Sequence, residues 1–98
     1  MPQGNFAVAG AQGTSFGFAS TAVALPATGV LLRVANLGPC HITVALGTTN
    51  AVTVNQGNGL VILAGHTEWL TTGSNTFIAG VAAGGPGNAS TVSLAVGT

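Results

Sequence analysis

The ten residues AGHTEWLTTG, at positions 64–73, contain the side chains of this chain that are best suited to chemistry. Glu68 is the only acidic residue, Trp69 is the only tryptophan, and His66 is one of two histidines. Residues i and i+2 of a strand share a face, so Glu68 could orient the imidazole of His66 as a general base, as in a hydrolase. The alternative is a structural role, with Trp69 covering an edge of a β-sandwich.

The remaining parts of a catalytic site are missing from the sequence. The chain has no second carboxylate for glycosidase chemistry, no lysine for a Schiff base and no G-x-S-x-G nucleophile motif. We therefore predict that the protein is not an enzyme and has no catalytic residues. We expect Glu68 to form a structural ion pair with Arg33, the only residue of fixed positive charge. Trp69 and His66 are then candidate contact residues, and Trp69 beside Glu68 could also bind a sugar.

The dipeptide Cys40-His41 raises the question of a metal site. Adjacent residues of a strand point to opposite faces, and zinc needs three or four ligands. The whole chain offers two histidines, one cysteine and one glutamate, so we predict no metal and no cofactor within one chain. One alternative stays open, in which His41 or His66 is repeated around an oligomer axis. Cys40 is most simply a small buried apolar residue.

The composition is unusual in its charge. The chain has 98 residues, of which 47% are hydrophobic and only 2% are charged, against about 25% in an average soluble domain. One arginine cannot neutralise a phosphate backbone, so nucleic acid is excluded as a direct partner. The most apolar stretch is interrupted by Pro26, Gly29 and Arg33, so we expect no transmembrane helix and no membrane partner.

A surface with almost no charge has to consist of uncharged polar and small residues, or be covered by partners. We expect both, and predict a homo-oligomer, either a dimer or a trimer. A single cysteine cannot form an internal disulfide, and the first residues lack the basic and apolar regions of a signal peptide. These features predict a protein made in a reducing cytoplasm.

Short β-prone runs with turn residues between them occur along the chain. GVLLRVANLG alternates with Val30, Leu32 and Val34 on one face, and STVSLAVG alternates with Val92, Leu94 and Val96 inward. LVILAG is apolar on both faces, as in a central strand. We predict an all-β protein, an antiparallel β-sandwich of jelly-roll or immunoglobulin-like kind, with about eight short strands and little or no helix.

The domain boundaries follow from the glycine-rich start of the chain. Residues 1–20 are predicted as an N-terminal arm or as the first strands, with FAVAG and SFGFAS as two separate β-prone runs. Residues 21–98 are predicted as the β-sandwich domain, so that the chain forms a single domain overall. AVTVN is a further short strand candidate, and residues 83–90 are predicted as an exposed loop before the last strand.

The order of strands and turns resembles that of small all-β structural proteins of tailed bacteriophages. The similarity lies in LLRVANLGPCHITVALGTTNAVTV, GLVILAGHTEWLTTGSNTFIAGVAA and STVSLAVGT, and leaves the first 29 residues unmatched. The matching residues are Arg33, Asn36, Gly38, Leu46, Gly47, Gly65, Thr76, Ile78, Ala79 and Leu94.

This resemblance implies a virion component, most plausibly a capsid cement or decoration protein. Such a protein is made in the host cytoplasm and sits on the capsid surface. There it binds the major capsid protein at joints between subunits and stabilises the shell. The alternative is a phage tail or fibre module, or a lectin-like module, that binds a glycan of the host surface.

Overall fold

The computed structural model describes residues 8–27, 30–55, 57–84 and 87–97. The first seven residues of the predicted arm, with Phe6, lie outside them. Eight strands follow one another along the chain: β1 (Val8–Gly17), β2 (Thr21–Ala24), β3 (Leu31–Gly38), β4 (Ile42–Gly47), β5 (Leu60–Ile62), β6 (Thr67–Thr71), β7 (Phe77–Ala82) and β8 (Ala89–Gly97). There is no helix among the described residues.

The strands form two four-stranded antiparallel sheets that pack face to face. Sheet 1 has the order β1-β8-β3-β6 and sheet 2 has the order β2-β7-β4-β5. The first strand therefore pairs with the last, β2 with β7, β3 with β6 and β4 with β5. This nested pairing of eight strands in two sheets is a jelly roll, so the prediction of a β-sandwich is confirmed.

The core lies between the inner faces of the two sheets. Val92, Leu94 and Val96 of β8 are fully buried, as are Leu32 and Val34 of β3, as their alternation predicts. The other large side chains of this core are Phe16, Ile42, Val44, Ile62 and Ile78. Each such side chain stabilises the fold by roughly 1.5–3 kcal/mol relative to exposure to water.

Phe16 of β1 joins the two sheets. Its ring reaches across the core to β7, where a Cβ atom added to Gly80 would lie 2.3 Å from the ring carbon Cδ2. Gly80 therefore leaves the space that the ring fills. Residues 8–17 form one continuous strand paired with β8. Residues 8–10 of the first β-prone run and residues 15–17 of the second therefore belong to a single strand, and residues 18–20 follow it outside any strand.

The outer face of sheet 2 is covered by the chain itself, and we call it the covered face. The described residues between β4 and β5 (48–55 and 57–59) cross this face and place Val52 and Val54 on Ala79 and Val81. The backbone N–H of Val54 donates to Ser20 Oγ at 3.1 Å, beside β2. AVTVN therefore alternates like a strand but is not one: its valines form a second, smaller core.

The outer face of sheet 1 is not crossed by any described segment, and we call it the open face. Its side chains follow from the register of the four strands: Ala11, Gly13, Ser15, Leu31, Arg33, Ala35, Thr67, Trp69, Thr71, Thr91, Ser93 and Ala95. Most of these residues are small, so the open face is a shallow surface with Arg33 and Trp69 as its largest side chains.

β5 is an edge strand of sheet 2, which corrects the prediction of a central strand for LVILAG. Only Ile62 of this run is buried, whereas Leu60, Val61 and Leu63 are exposed. The run is apolar on both faces because its solvent-facing positions carry large apolar side chains. A proposal for the function has to explain why these three large apolar side chains are exposed.

Candidate interaction surface

β6 carries most of the residues that the sequence singles out, and it is the edge strand of sheet 1. It follows a tight turn in which the His66 N–H donates to the Leu63 carbonyl at 3.0 Å and Gly65 has a φ of 83°. Such a φ favours glycine. Trp69 lies on this edge strand and is 37% exposed. The expected position of Trp69 at a sandwich edge is thus observed.

The strand register separates Arg33 from Glu68. Arg33 of β3 lies directly opposite Trp69, and Val34 lies directly opposite Glu68. Directly opposed residues of an antiparallel pair share a face, and successive residues alternate. Arg33 therefore points to the open face, while Glu68 points to the inner face at the exposed edge. The ion pair predicted between them is not formed within the chain.

Arg33 sits in the middle of a row of side chains that crosses the open face. The row runs from Ala11 through Ala95 and Arg33 to Trp69. Ala95, directly opposite Arg33, faces outward and is only 1% exposed. The Arg33 Nε is buried and has no hydrogen-bond partner among the described residues.

β5 and β6 together form one side of the sandwich, which we call the β5–β6 side (residues 60–71). The two strands are the edges of the two sheets, and the turn at residues 63–66 joins them. Leu60, Val61 and Leu63 are exposed at the β5 edge, where Val61 points to the outer face of sheet 2 and is 50% exposed. Trp69 is exposed at the β6 edge, on the outer face of sheet 1. The only charged residue of the β5–β6 side is Glu68. This side is therefore apolar with very little charge.

The histidines and the cysteine lie near one another but do not form a ligand set. Both histidines are exposed; His41 Nδ1 accepts a hydrogen bond of 3.4 Å from the Ala64 N–H, two residues before His66. Cys40 is a half-buried free thiol. Within the described ranges there is no group of three or more His, Cys, Asp or Glu residues that could hold a metal ion.

Asn36 is the polar residue whose role sequence reasoning missed. It is buried, and its Nδ2 donates to the carbonyls of Cys40 at 2.8 Å and Ile62 at 2.9 Å. Its Oδ1 accepts from the Gly38 N–H at 3.0 Å and from Ser90 Oγ at 2.6 Å. These bonds connect β3 and β8 of sheet 1 to β5 of sheet 2. The sequence signal was available, since Asn36 continues the inward positions of Leu32 and Val34.

A pocket of about 430 Å³ opens at one end of the sandwich. It is lined by Leu25, Ala27 and residues 72–76. None of the described lining residues carries an acidic, basic or thiol side chain. The pocket therefore offers hydroxyl, amide and backbone groups for binding, beside the apolar side chains of Leu25 and Ala27.

The part of the chain that the structure describes contains no helix long and apolar enough to cross a membrane. No family model, curated protein or solved structure matches the chain at a significant level. The site has therefore to be interpreted from its own geometry. The molecule is a jelly roll of zero net charge, with an apolar side, an open face of mostly small residues, and two charged side chains that point to different faces of sheet 1.

Proposed function

We propose that the chain is a non-enzymatic virion structural protein. In this proposal it is a capsid cement or decoration protein that binds the outer capsid at joints between major capsid subunits and stabilises the shell. It acts on the capsid surface after synthesis in the host cytoplasm, as a dimer or trimer, without a cofactor and without binding nucleic acid or membrane. The observation that carries this proposal is the exposed apolar surface of the β5–β6 side.

The exposed apolar side chains support a role in binding another protein. Apolar surface that is removed from water contributes about 25 cal/mol per Å², before the costs of association. Leu60, Val61 and Leu63 form such a surface on an edge strand, where a monomer normally carries charges that prevent association. An exposed apolar edge of this kind promotes self-association in water. A partner that covers the edge is therefore favoured.

The fold and the charge support a role on a closed shell. Jelly rolls are frequent in viral capsid domains and in lectins, which is an analogy at the level of fold. A surface with one cation and one anion binds through apolar contacts that salt does not screen. Many copies on one particle then strengthen each other through multivalency, so each contact can be modest.

The test is a comparison of capsids from the virus that encodes this chain, with and without the protein. Capsids that lack it are expected to assemble, and to release their DNA or rupture at a lower temperature. Added purified protein should co-sediment with them and restore their heat stability. Val61→Asp, which places a charge at the centre of the β5–β6 side, should weaken capsid binding at least about tenfold, since a buried valine contributes roughly 1.5–3 kcal/mol.

The matched control is Thr53→Asp, which adds the same charge at an exposed position of the segment over sheet 2. It should bind capsids like the wild type. Equal heat stability of capsids with and without the protein would refute the cement function. Normal binding by the Val61 variant would instead place the contact elsewhere on the molecule.

A second candidate function is binding of a host-surface glycan by a tail, fibre or lectin-like module. It is favoured by Trp69, which is exposed on the open face and can stack on a sugar ring. Glu68 points to the other face of β6, so Thr67 and Thr71 would supply the polar contacts instead. Binding to a glycan array that Trp69→Ala abolishes, without any effect on capsids, would favour this function over the cement role.

A further inference from the structure

We propose that the open face is an interface between copies of this chain, in which Glu68 of a second copy forms an ion pair with Arg33. This inference concerns copies of the chain alone and does not rest on binding to a capsid. It starts from the two charged side chains, which the sheet holds on opposite faces and which therefore cannot neutralise each other within one copy.

The environment of Arg33 points to a partner group. Its side chain is half-buried, and the Nε is buried without a hydrogen-bond partner among the described residues. A buried donor that stays unpaired is costly, and native proteins rarely leave one so. Leu31 and Ala35 flank Arg33 along β3 on the same face, so a carboxylate that docks there is partly shielded from water.

The position of Glu68 makes a second copy the best occupant. Glu68 is exposed on the β6 edge, next to Trp69, and this edge borders the open face. Each copy carries one side-chain cation and one side-chain anion, and neither has an ion-pair partner among the described residues, so association of copies can neutralise both. A foreign carboxylate would satisfy Arg33 and leave Glu68 unmatched. Charge complementarity therefore favours self-association.

The shape of the open face permits such an approach. Ala95 lies directly opposite Arg33 on β8, and Ala11 and Gly13 lie one strand further on β1. A Cβ atom added to Gly13 would meet no atom within 4 Å. Small side chains allow the edge of another copy to come close to the sheet. Removing water from around a charge pair strengthens the attraction between its members.

The experiment is a charge exchange, with the native mass of the full chain measured by light scattering over a range of concentrations. The wild type is expected to form a dimer or trimer. Arg33→Glu and Glu68→Arg should each raise the dissociation constant at least roughly 30-fold, as loss of one member of a desolvated pair does. The double variant, with the charges exchanged, should recover most of the wild-type affinity.

Thr53→Arg is the matched control for an added positive charge and should associate like the wild type. Thermal unfolding of every variant separates loss of association from loss of folding. If Arg33→Glu does not fold, Glu68→Arg and Glu68→Gln still test the interface, because Glu68 is exposed. A monomeric wild type, unchanged association of the Glu68 variants, or a double variant no better than the single ones would each overturn the proposal.

Failure of this interface and failure of the cement function are distinguishable. A monomeric Glu68→Arg variant that still binds and stabilises capsids would support the interface between copies and leave the cement function intact. If the wild-type chain forms an oligomer that does not bind capsids, the cement function alone is refuted.

Discussion

The two outer faces of the sandwich differ in what covers them. On the covered face of sheet 2, the segment of residues 48–55 brings Val52 and Val54 onto Ala79 and Val81, so this face has a small core of its own. On the open face of sheet 1, no described segment crosses the strands, and the side chains are mostly small or polar. The same jelly roll therefore has one face completed by its own chain and one face that no described segment crosses.

The difference shows how a chain with so few charges divides its surface. Apolar side chains that point away from the main core are acceptable on sheet 2 because the chain supplies a cover. On sheet 1 the corresponding positions carry Ala, Gly, Ser and Thr, which are stable in water without charge. The exceptions are Leu31, Arg33 and Trp69, and these large side chains lie on the two neighbouring strands β3 and β6.

The largest expected contrast comes from an aspartate placed on each face. Val81→Asp should destabilise the fold by at least about 3 kcal/mol, because Val81 is buried under Val52 and Val54 and a buried charge has no partner there. Ser93→Asp, on the open face, should cost less than about 1 kcal/mol, because its carboxylate reaches water. Urea denaturation of both variants measures the contrast, and similar losses would show that both faces are covered.

A smaller contrast is expected from two glycine-to-alanine changes. A Cβ atom at Gly47 would lie 2.5 Å from the Val52 Cβ, so Gly47→Ala should cost about 1–3 kcal/mol by pushing the covering segment outward. At Gly13, on the open face, a Cβ meets nothing within 4 Å, so Gly13→Ala should stabilise the fold by about 0.4–1 kcal/mol. Melting temperatures should therefore move in opposite directions; a fall for Gly13→Ala would contradict an uncovered face.

The smallest effect is expected from a new charge pair on the open face. Ser15 of β1 and Thr91 of β8 are both exposed and directly opposite each other. Ser15→Glu and Thr91→Lys should each change stability by less than about 0.5 kcal/mol, and a double-mutant cycle should give a favourable coupling of about 0.2–1 kcal/mol. A single variant that loses more than 1 kcal/mol would show that this part of the face is buried in solution.

Much of the fold could be predicted from the sequence because periodicity reports local geometry. The alternation in β3 and β8 correctly gave the inward residues of the strands, and turn residues separated most of the strands. Val30, grouped with Leu32 and Val34 by the same alternation, lies before β3 and is 58% exposed. Periodicity does not report which strand lies beside which. LVILAG was therefore assigned to the centre of a sheet, although β5 is an edge strand. AVTVN was assigned to a strand, although its valines pack on the outer face of β7.

The candidate site could be predicted only in part, for the same reason. The sequence identified Arg33, Glu68, Trp69 and His66, and it correctly indicated an edge position for Trp69. The pairing of Arg33 with Glu68 was inferred because they are the only fixed charges of opposite sign. Their separation depends on the register between β3 and β6, which sets which residues share a face and cannot be read from either strand alone.

The pairing of β1 with β8 has a consequence for the synthesis of the protein. Val8 lies opposite Gly97 and Gly17 lies opposite Ala89, and β1 has no other partner strand in sheet 1. At a translation rate of about 5–20 residues per second, β1 leaves the ribosome roughly 4–16 s before β8 is complete. During that time β1 lacks its partner strand. Sheet 1 can therefore be completed only after β8 emerges, and not earlier in translation.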